Sequence, residues 1–184
     1  MEWISIVLAL LLPAASHPTK SQRDDAGARD AFGAAYTVLM HPRCMNCHPA
    51  GDAPLQGDDS HVHMQNVKRG PNGHGKYGMK CQTCHQDKNL PGANMPPGVD
   101  DWHMPLPATK LVFEGKSAGE LCRQMKDPLH NGGKSLQGVI DHLETPLVFW
   151  AWAPGDGRTT PPMSHAEFAQ KMREWVAKGG ACPE

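Results

Sequence analysis

Two short cysteine motifs constrain this chain more than any other feature of its sequence. Residues 44–48 read Cys-Met-Asn-Cys-His, and residues 81–85 read Cys-Gln-Thr-Cys-His. Both follow the pattern C-x-x-C-H, in which the two thiols add to the vinyl groups of a haem and the histidine binds its iron. The sequence therefore predicts two covalently attached haem c groups. The residues that would hold them are Cys44, Cys47, Cys81 and Cys84, with His48 and His85 as proximal ligands.

A structural zinc site is the main alternative for two cysteine pairs of this kind. Zinc sites can hold one ion between two C-x-x-C pairs, and residues 48–80 would then form the intervening segment. Histidine makes up only 11 of the 184 residues, yet one follows each cysteine pair directly. Because a four-cysteine zinc site has no need of these histidines, their position favours haem.

Composition favours a protein that folds around large apolar groups. The chain has 4 Phe and 2 Tyr but 19 Gly and 17 Pro, so a core of side chains alone would be thin and its loops long. Two buried haems would supply the missing apolar bulk. A formal net charge of −1 gives no field that would favour nucleic acid. We expect a mostly α-helical domain with long irregular loops.

An apolar run over residues 3–12 predicts export from the cytoplasm. The run is too short to span a bilayer, but it has the length of the central region of a signal peptide. Small residues at positions 14–16 allow cleavage after Ser16, although Glu2 stands where a basic residue is usual. We expect a signal peptide over 1–16, a single domain over 17–184 with 17–23 disordered, a periplasmic location and no membrane span.

Helical signals are clearest near the two ends of the chain. Apolar residues recur at helical spacing over 32–40, which predicts a helix that begins near residue 24 and is ended by Pro42. His41 is expected to interact with the C-terminus of that helix. Three further helices are predicted by two capping boxes and one apolar face, at 117–125, 135–143 and 164–176.

The segment between the two motifs offers the first candidates for a distal ligand. A short helix over 61–67, capped by Asp58 or Asp59, would carry His61 and His63. Residues two apart on a helix point in different directions, so at most one of these histidines can face a given iron. The sequence leaves the choice between them open.

A proline-rich loop over 89–107 offers further distal candidates. Such a loop can hold a ligand rigidly while it runs over the face of a haem. Its candidates are Met95, His103 and Met104, and we prefer His103 because Trp102 beside it would give apolar cover.

The two remaining cysteines, Cys122 and Cys182, are expected to form a disulfide in an oxidising compartment, which would contribute about 2–4 kcal/mol.

Both ends of the chain resemble class I cytochrome c. The resemblance lies in residues 32–48, where a helix runs into C-x-x-C-H, and in residues 163–176, where a loop methionine precedes an aromatic-bearing helix. It implies cytochrome c-like helices wrapped around two covalent haems. In that family the loop methionine binds the iron on the distal side, so the resemblance makes Met163 a distal candidate for the first haem.

Over nearly its whole mature length the chain resembles small dihaem cytochromes found beside xanthine-oxidase-type molybdenum hydroxylases. Some of these cytochromes carry the label isoquinoline 1-oxidoreductase subunit. The stretches that carry the resemblance are 41–48, 76–85, 94–98 and 175–179. It implies an electron carrier that accepts electrons from a periplasmic dehydrogenase or molybdenum hydroxylase and passes them to the respiratory chain. The alternatives are a haem enzyme such as a peroxidase, with one open iron, and a redox or gas sensor.

Overall fold

The structure, a computed structural model, describes residues 23–184 and is built mainly from helices joined by long loops. This confirms the expected mostly α-helical class. The predicted signal peptide over 1–16 and all but the last residue of the predicted disordered stretch lie outside the described residues. The helices are α1 (Asp25–Leu39), α2 (Pro42–Met45), α3 (Ala118–Met125), α4 (Leu136–Leu143), α5 (Pro146–Phe149) and α6 (His165–Ala177). None of the helices formed by residues 23–184 has the length and apolar character needed to cross a bilayer.

Helices α1 and α6 pack against each other and form the centre of the core. Alanines on the inner face of α1 let the two helices approach closely, and Phe32 meets Trp175 with ring centres 5.0 Å apart. Asp24 caps α1 by accepting a hydrogen bond from the backbone N–H of Gly27 (2.9 Å). The two segments that resemble class I cytochrome c are therefore in contact.

Helices α3 and α4 complete the helical core around α1 and α6. The predicted capping boxes form at Ser117 before α3 and at Ser164 before α6. Ser135 caps α4, whose apolar face is buried as the spacing predicted. The Sγ atoms of Cys122 and Cys182 lie 2.09 Å apart, a bonded distance, so α3 is joined to the C-terminal tail.

The segment after the first motif forms a small β-hairpin in place of the predicted helix over 61–67. Strands β1 (Leu55–Gln56) and β2 (His61–Val62) pair in antiparallel register. The prediction was wrong because both acidic residues have other partners: Asp58 pairs with the buried guanidinium of Arg43, and Asp59 contacts His61. A turn in which Gly57 and Ser60 adopt positive φ then reverses the chain.

A second hairpin leads directly into the second motif. Strands β3 (Gly75–Lys76) and β4 (Met79–Lys80) pair in antiparallel register, and a 3₁₀ turn over Cys81–Thr83 follows them. The first motif instead begins on α2. Helix α1 ends at Leu39, and Pro42 is the first residue of α2 rather than the residue that stops α1. The backbone N–H of His41 donates to the carbonyl oxygen of Val38 at the end of α1 (3.0 Å), whereas its side chain caps the N-terminus of α2.

Candidate functional site

The four motif cysteines do not gather into one site. All four are free thiols, and the one group of three or more potential metal ligands in residues 23–184 within 4.8 Å of one another contains no cysteine. Burial raises the pKa of Cys44 to about 12 and that of Cys47 to about 11, so both thiols keep their protons at neutral pH. A four-cysteine zinc site needs cysteines that converge on one ion, so the geometry does not support the zinc alternative.

A cavity of about 380 Å³ opens beside the first motif. Cys44, Cys47 and His48 line one part of its wall, and helix α4 with the segment that follows it lines another. Most of the remaining wall is apolar. Its apolar residues lie between positions 104 and 168 of the chain: Met104, Leu111, Phe113, Met125, Leu147, Val148, Ala151 and Phe168. The first motif therefore faces a large apolar space that distant segments enclose.

The histidine of each motif is held by the same two contacts. The Nδ1–H of His48 donates to the carbonyl oxygen of Leu111 (2.8 Å), and that of His85 donates to the carbonyl oxygen of Pro97 (2.7 Å). Because a carbonyl can only accept, Nδ1 carries the proton in both rings, and Nε2 keeps the lone pair that binds a metal. This is the tautomer that an iron ligand requires.

Each of these rings also stacks on one aromatic side chain. His48 lies parallel to Phe113 with ring centres 4.0 Å apart, and His85 lies parallel to Trp102 with ring centres 4.4 Å apart. Burial lowers the pKa of both histidines, that of His48 to about 3, so the rings are neutral at pH 7. The hydrogen bond and the stacking together fix the orientation of each imidazole.

His63 is the distal candidate that the structure brings to the second motif. Its ring centre lies 6.3 Å from that of His85, with 62° between the ring planes. Its Nδ1 is buried without a hydrogen-bond partner. Imidazoles on opposite sides of one metal ion have ring centres roughly 6.2 Å apart, since each metal–nitrogen bond is about 2.0 Å and each nitrogen is about 1.1 Å from its ring centre. The observed separation matches that arrangement.

The other predicted distal candidates lie in different parts of the structure. His61 is exposed, and its Nδ1 contacts the carboxylate of Asp59. Among the described residues, its ring contacts neither motif histidine. His103 and Met104 line the first cavity, whereas Met95 is exposed on the surface. Met163 packs against the helical core and does not line the cavity beside the first motif.

His142 is a site residue that the sequence reasoning missed. It lies on α4 and lines the first cavity with Val139 and Leu143, its neighbours at helical spacing. A histidine within an apolar helix face was the signal that could have identified it. No hydrogen bond joins its imidazole to another of residues 23–184, whereas a ring nitrogen of each of the following histidines holds at least one: His41, His48, His61, His74, His85, His103, His130 and His165.

The second motif lies directly behind the wall of the first cavity. The backbone N–H of Cys81 donates to the carbonyl oxygen of His74 (3.1 Å), and His74 is a cavity-lining residue. The Sγ of Cys81 contacts the carbonyl oxygen of Gly73 at 3.8 Å. Groups attached at the two motifs would therefore be close neighbours in space.

Comparison of the chain with protein-family models, with curated proteins and with solved structures found no match. Its function must therefore be inferred from its own residues and their geometry.

Proposed function

We propose that this protein is a periplasmic dihaem c-type cytochrome that carries electrons. The observation that carries the proposal is the shared environment of the two C-x-x-C-H histidines. Each donates Nδ1–H to a backbone carbonyl and stacks in parallel on an aromatic ring. Two loops from different parts of the chain supply these contacts, and each leaves the Nε2 of its histidine able to bind a metal. A histidine with only a structural role does not need its Nε2 to stay free, and here both motif histidines keep it free.

The residues around both motifs fit two covalent haems. Cys44 and Cys47 would hold one haem, with His48 as its proximal ligand, and the apolar cavity beside them would exclude water. Cys81 and Cys84 would hold the other, with His85 as its proximal ligand. A bound haem supplies reversible one-electron change at its iron. The chain contributes the burial, the ring orientation and the Nδ1 hydrogen bond that set how readily this change occurs.

His63 would be the second axial ligand at the second motif. Its ring is at the separation from His85 that two imidazoles on one metal ion require, and its buried Nδ1 lacks a partner. Exposed apolar side chains also flank His63 in the sequence and precede the second motif, where a porphyrin would cover them: Val62, Met64 and Met79. Both observations support a six-coordinate haem at this position.

The contact between the second motif and the wall of the first cavity supports electron transfer within the chain. Cys81 adjoins His74 and Gly73, so the two porphyrins would approach each other closely at the attachment edge. Electrons would enter at the exposed second motif, where Cys84 is open to solvent. The donor would be a periplasmic dehydrogenase or molybdenum hydroxylase, and the acceptor would belong to the respiratory chain.

A peroxidase-type haem enzyme is the second candidate, because polar groups also line the first cavity. The ring of His74 contacts Asp101 through Nε2 (2.7 Å), and the Nδ1–H of His103 donates to the carbonyl oxygen of Asp101 (2.6 Å). A haem enzyme would need one iron with an open position beneath such groups. The electron carrier is preferred because a second histidine lies near each motif, His63 beside His85 and His142 in the cavity that His48 lines.

Haem content tests the proposal. The full chain is expressed in a periplasm with haem-attachment machinery, and haem per chain is measured as the pyridine haemochrome. We expect two haems per chain, and one in each of the variants Cys44→Ser with Cys47→Ser and Cys81→Ser with Cys84→Ser. Reversible one-electron titration of both haems without peroxide turnover would support the carrier over the enzyme. A zinc-containing chain without haem would contradict the proposal.

A further inference from the structure

The imidazole of His142 stands in an apolar wall without any hydrogen bond. Helix α4 directs Val139, His142 and Leu143 into the first cavity from one face, and the apolar members of that face are buried. The ring nitrogens of His142 are therefore available to a ligand placed in the cavity.

The electrostatics of the cavity leave His142 ready to bind a metal. Burial, together with the nearby charges of Lys134 and His103, lowers the pKa of His142 to about 4, so the ring is neutral and keeps a lone pair at pH 7. His142 is also close enough to His48 for a charge on one ring to lower the pKa of the other. The two neutral imidazoles thus share one cavity, in which His48 is already fixed as a ligand by its Nδ1 hydrogen bond.

We propose that His142 is the sixth iron ligand of the haem at the first motif, binding opposite His48. This assignment rests on the proposed function, because it requires a haem attached at Cys44 and Cys47. Helix α4 would supply the ligand, and bond formation would use the lone pair of His142 without any change in oxidation state. With His63 opposite His85, both irons would then be coordinated by two histidines and neither would be open.

Other side chains in the cavity are less suited to this position. Both ring nitrogens of His74 are engaged, by the carbonyl oxygen of Asn72 (2.9 Å) and by the carboxylate of Asp101. His103 is held by Asp101 and keeps Nε2 free, so it is the nearest rival. It stands on a loop, whereas His142 stands on a capped helix that fixes its direction toward the cavity.

Spectroscopy of matched variants tests the assignment on the full-length holoprotein. Electron paramagnetic resonance and near-infrared magnetic circular dichroism are recorded for the native chain, His142→Ala and His103→Ala. We expect two low-spin haems with two histidine ligands each in the native chain and in His103→Ala. We expect His142→Ala to convert one of the two haems to high spin and to leave the other unchanged. Added imidazole should restore the low-spin signal, a rescue that a purely structural role would not allow.

Three results would overturn the assignment. The first is two unchanged low-spin haems in His142→Ala, and the second is conversion to high spin in His103→Ala instead. The third is a methionine signature for the first haem of the native chain. Haem per chain is measured on every sample, so a chain that binds no haem would overturn the proposed function along with the ligand. His142→Gln, which preserves side-chain volume better, replaces His142→Ala if the latter fails to fold, and the same outcomes decide.

Discussion

At the scale of single residues, the two motif histidines lie parallel to an aromatic ring within 5° and 4°, whereas His165, which also stacks, is tilted by 29° to Phe149. Phe113 covers one face of His48, and Trp102 covers one face of His85. Stacking of this kind contributes about 0.5–1.5 kcal/mol beyond the burial of the rings. Each of these aromatic residues contacts one motif histidine and not the other, so the two proposed haems could be perturbed separately.

Substituting these aromatic residues should affect one haem at a time. In Phe113→Leu we expect the low-spin resonance of the first haem to shift while that of the second stays fixed, because the axial ring at the first motif loses its support. Trp102→Leu should do the reverse. Electron paramagnetic resonance of both variants measures the effect, and each variant serves as the control for the other. Equal shifts of both signals in either variant would contradict the assignment.

Arg69 is a buried charged residue that lies between the two motifs in the sequence. Its side chain is 1% exposed, and it donates hydrogen bonds to the carbonyl oxygens of Pro105 (2.6 Å) and Gly51 (3.1 Å). These two bonds tie together segments that follow the first and second motifs.

Arg69→Met would leave both carbonyls without their donor. We expect the free energy of unfolding to fall by about 2–4 kcal/mol, measured by urea denaturation. The exposed control Lys76→Met should change it by less than about 0.5 kcal/mol.

At the scale of elements, the disulfide joins the two ends of the C-terminal half. It links α3 to the tail after α6, and Trp175 of α6 donates its Nε1–H to the carbonyl oxygen of Ala181 (3.1 Å) in the same tail. The bonded residues are 60 positions apart, so the bridge closes a long loop. A loop of that length restricts the unfolded chain strongly.

Removing the disulfide should destabilise the protein without changing its haem sites. For Cys122→Ser with Cys182→Ser we expect a loss of about 2–4 kcal/mol in the free energy of unfolding, measured by urea denaturation under non-reducing conditions. The visible spectrum should stay native, because neither cysteine lines the cavity beside the first motif. Loss of either haem in this variant would show that the bridge also shapes the site.

At the scale of the whole molecule, the helices and the loop region are stabilised differently. The hydrophobic core draws on α1, α3, α4 and α6. Between residues 50 and 110 the buried hydrophobic residues are Leu55, Cys81 and Met104. A region with so little buried apolar surface gains stability from whatever fills its cavities. We therefore expect the loop region to depend on the haems more than the helices do.

Hydrogen exchange should reveal this division. In the variant Cys81→Ser with Cys84→Ser we expect amide exchange to accelerate over residues 50–110, because the second haem no longer supports the loops. Exchange in α1 and α6 should stay close to that of the native holoprotein, whose helices have a core of their own. Mass spectrometry of peptic peptides measures both regions in one experiment. Equal acceleration throughout the chain would contradict the division.

The sequence by itself determined the features that short spacings control. Capping boxes at Ser117 and Ser164 predicted where α3 and α6 begin, and apolar periodicity predicted α1 and α4. These predictions succeed because a cap or a helix face involves residues within one or two turns of each other. The hairpin at 55–62 was missed because Asp58 is held by Arg43, which lies on another element.

Only the tertiary structure decided which side chains come near the motif histidines. Sequence spacing could not choose between His61 and His63, because the choice depends on a turn that directs one ring toward His85. It also could not single out His142, which lines the same cavity as the first motif although almost a hundred residues separate them in the chain. Side chains that line one cavity are contributed by distant segments, and their meeting is a property of the packing alone.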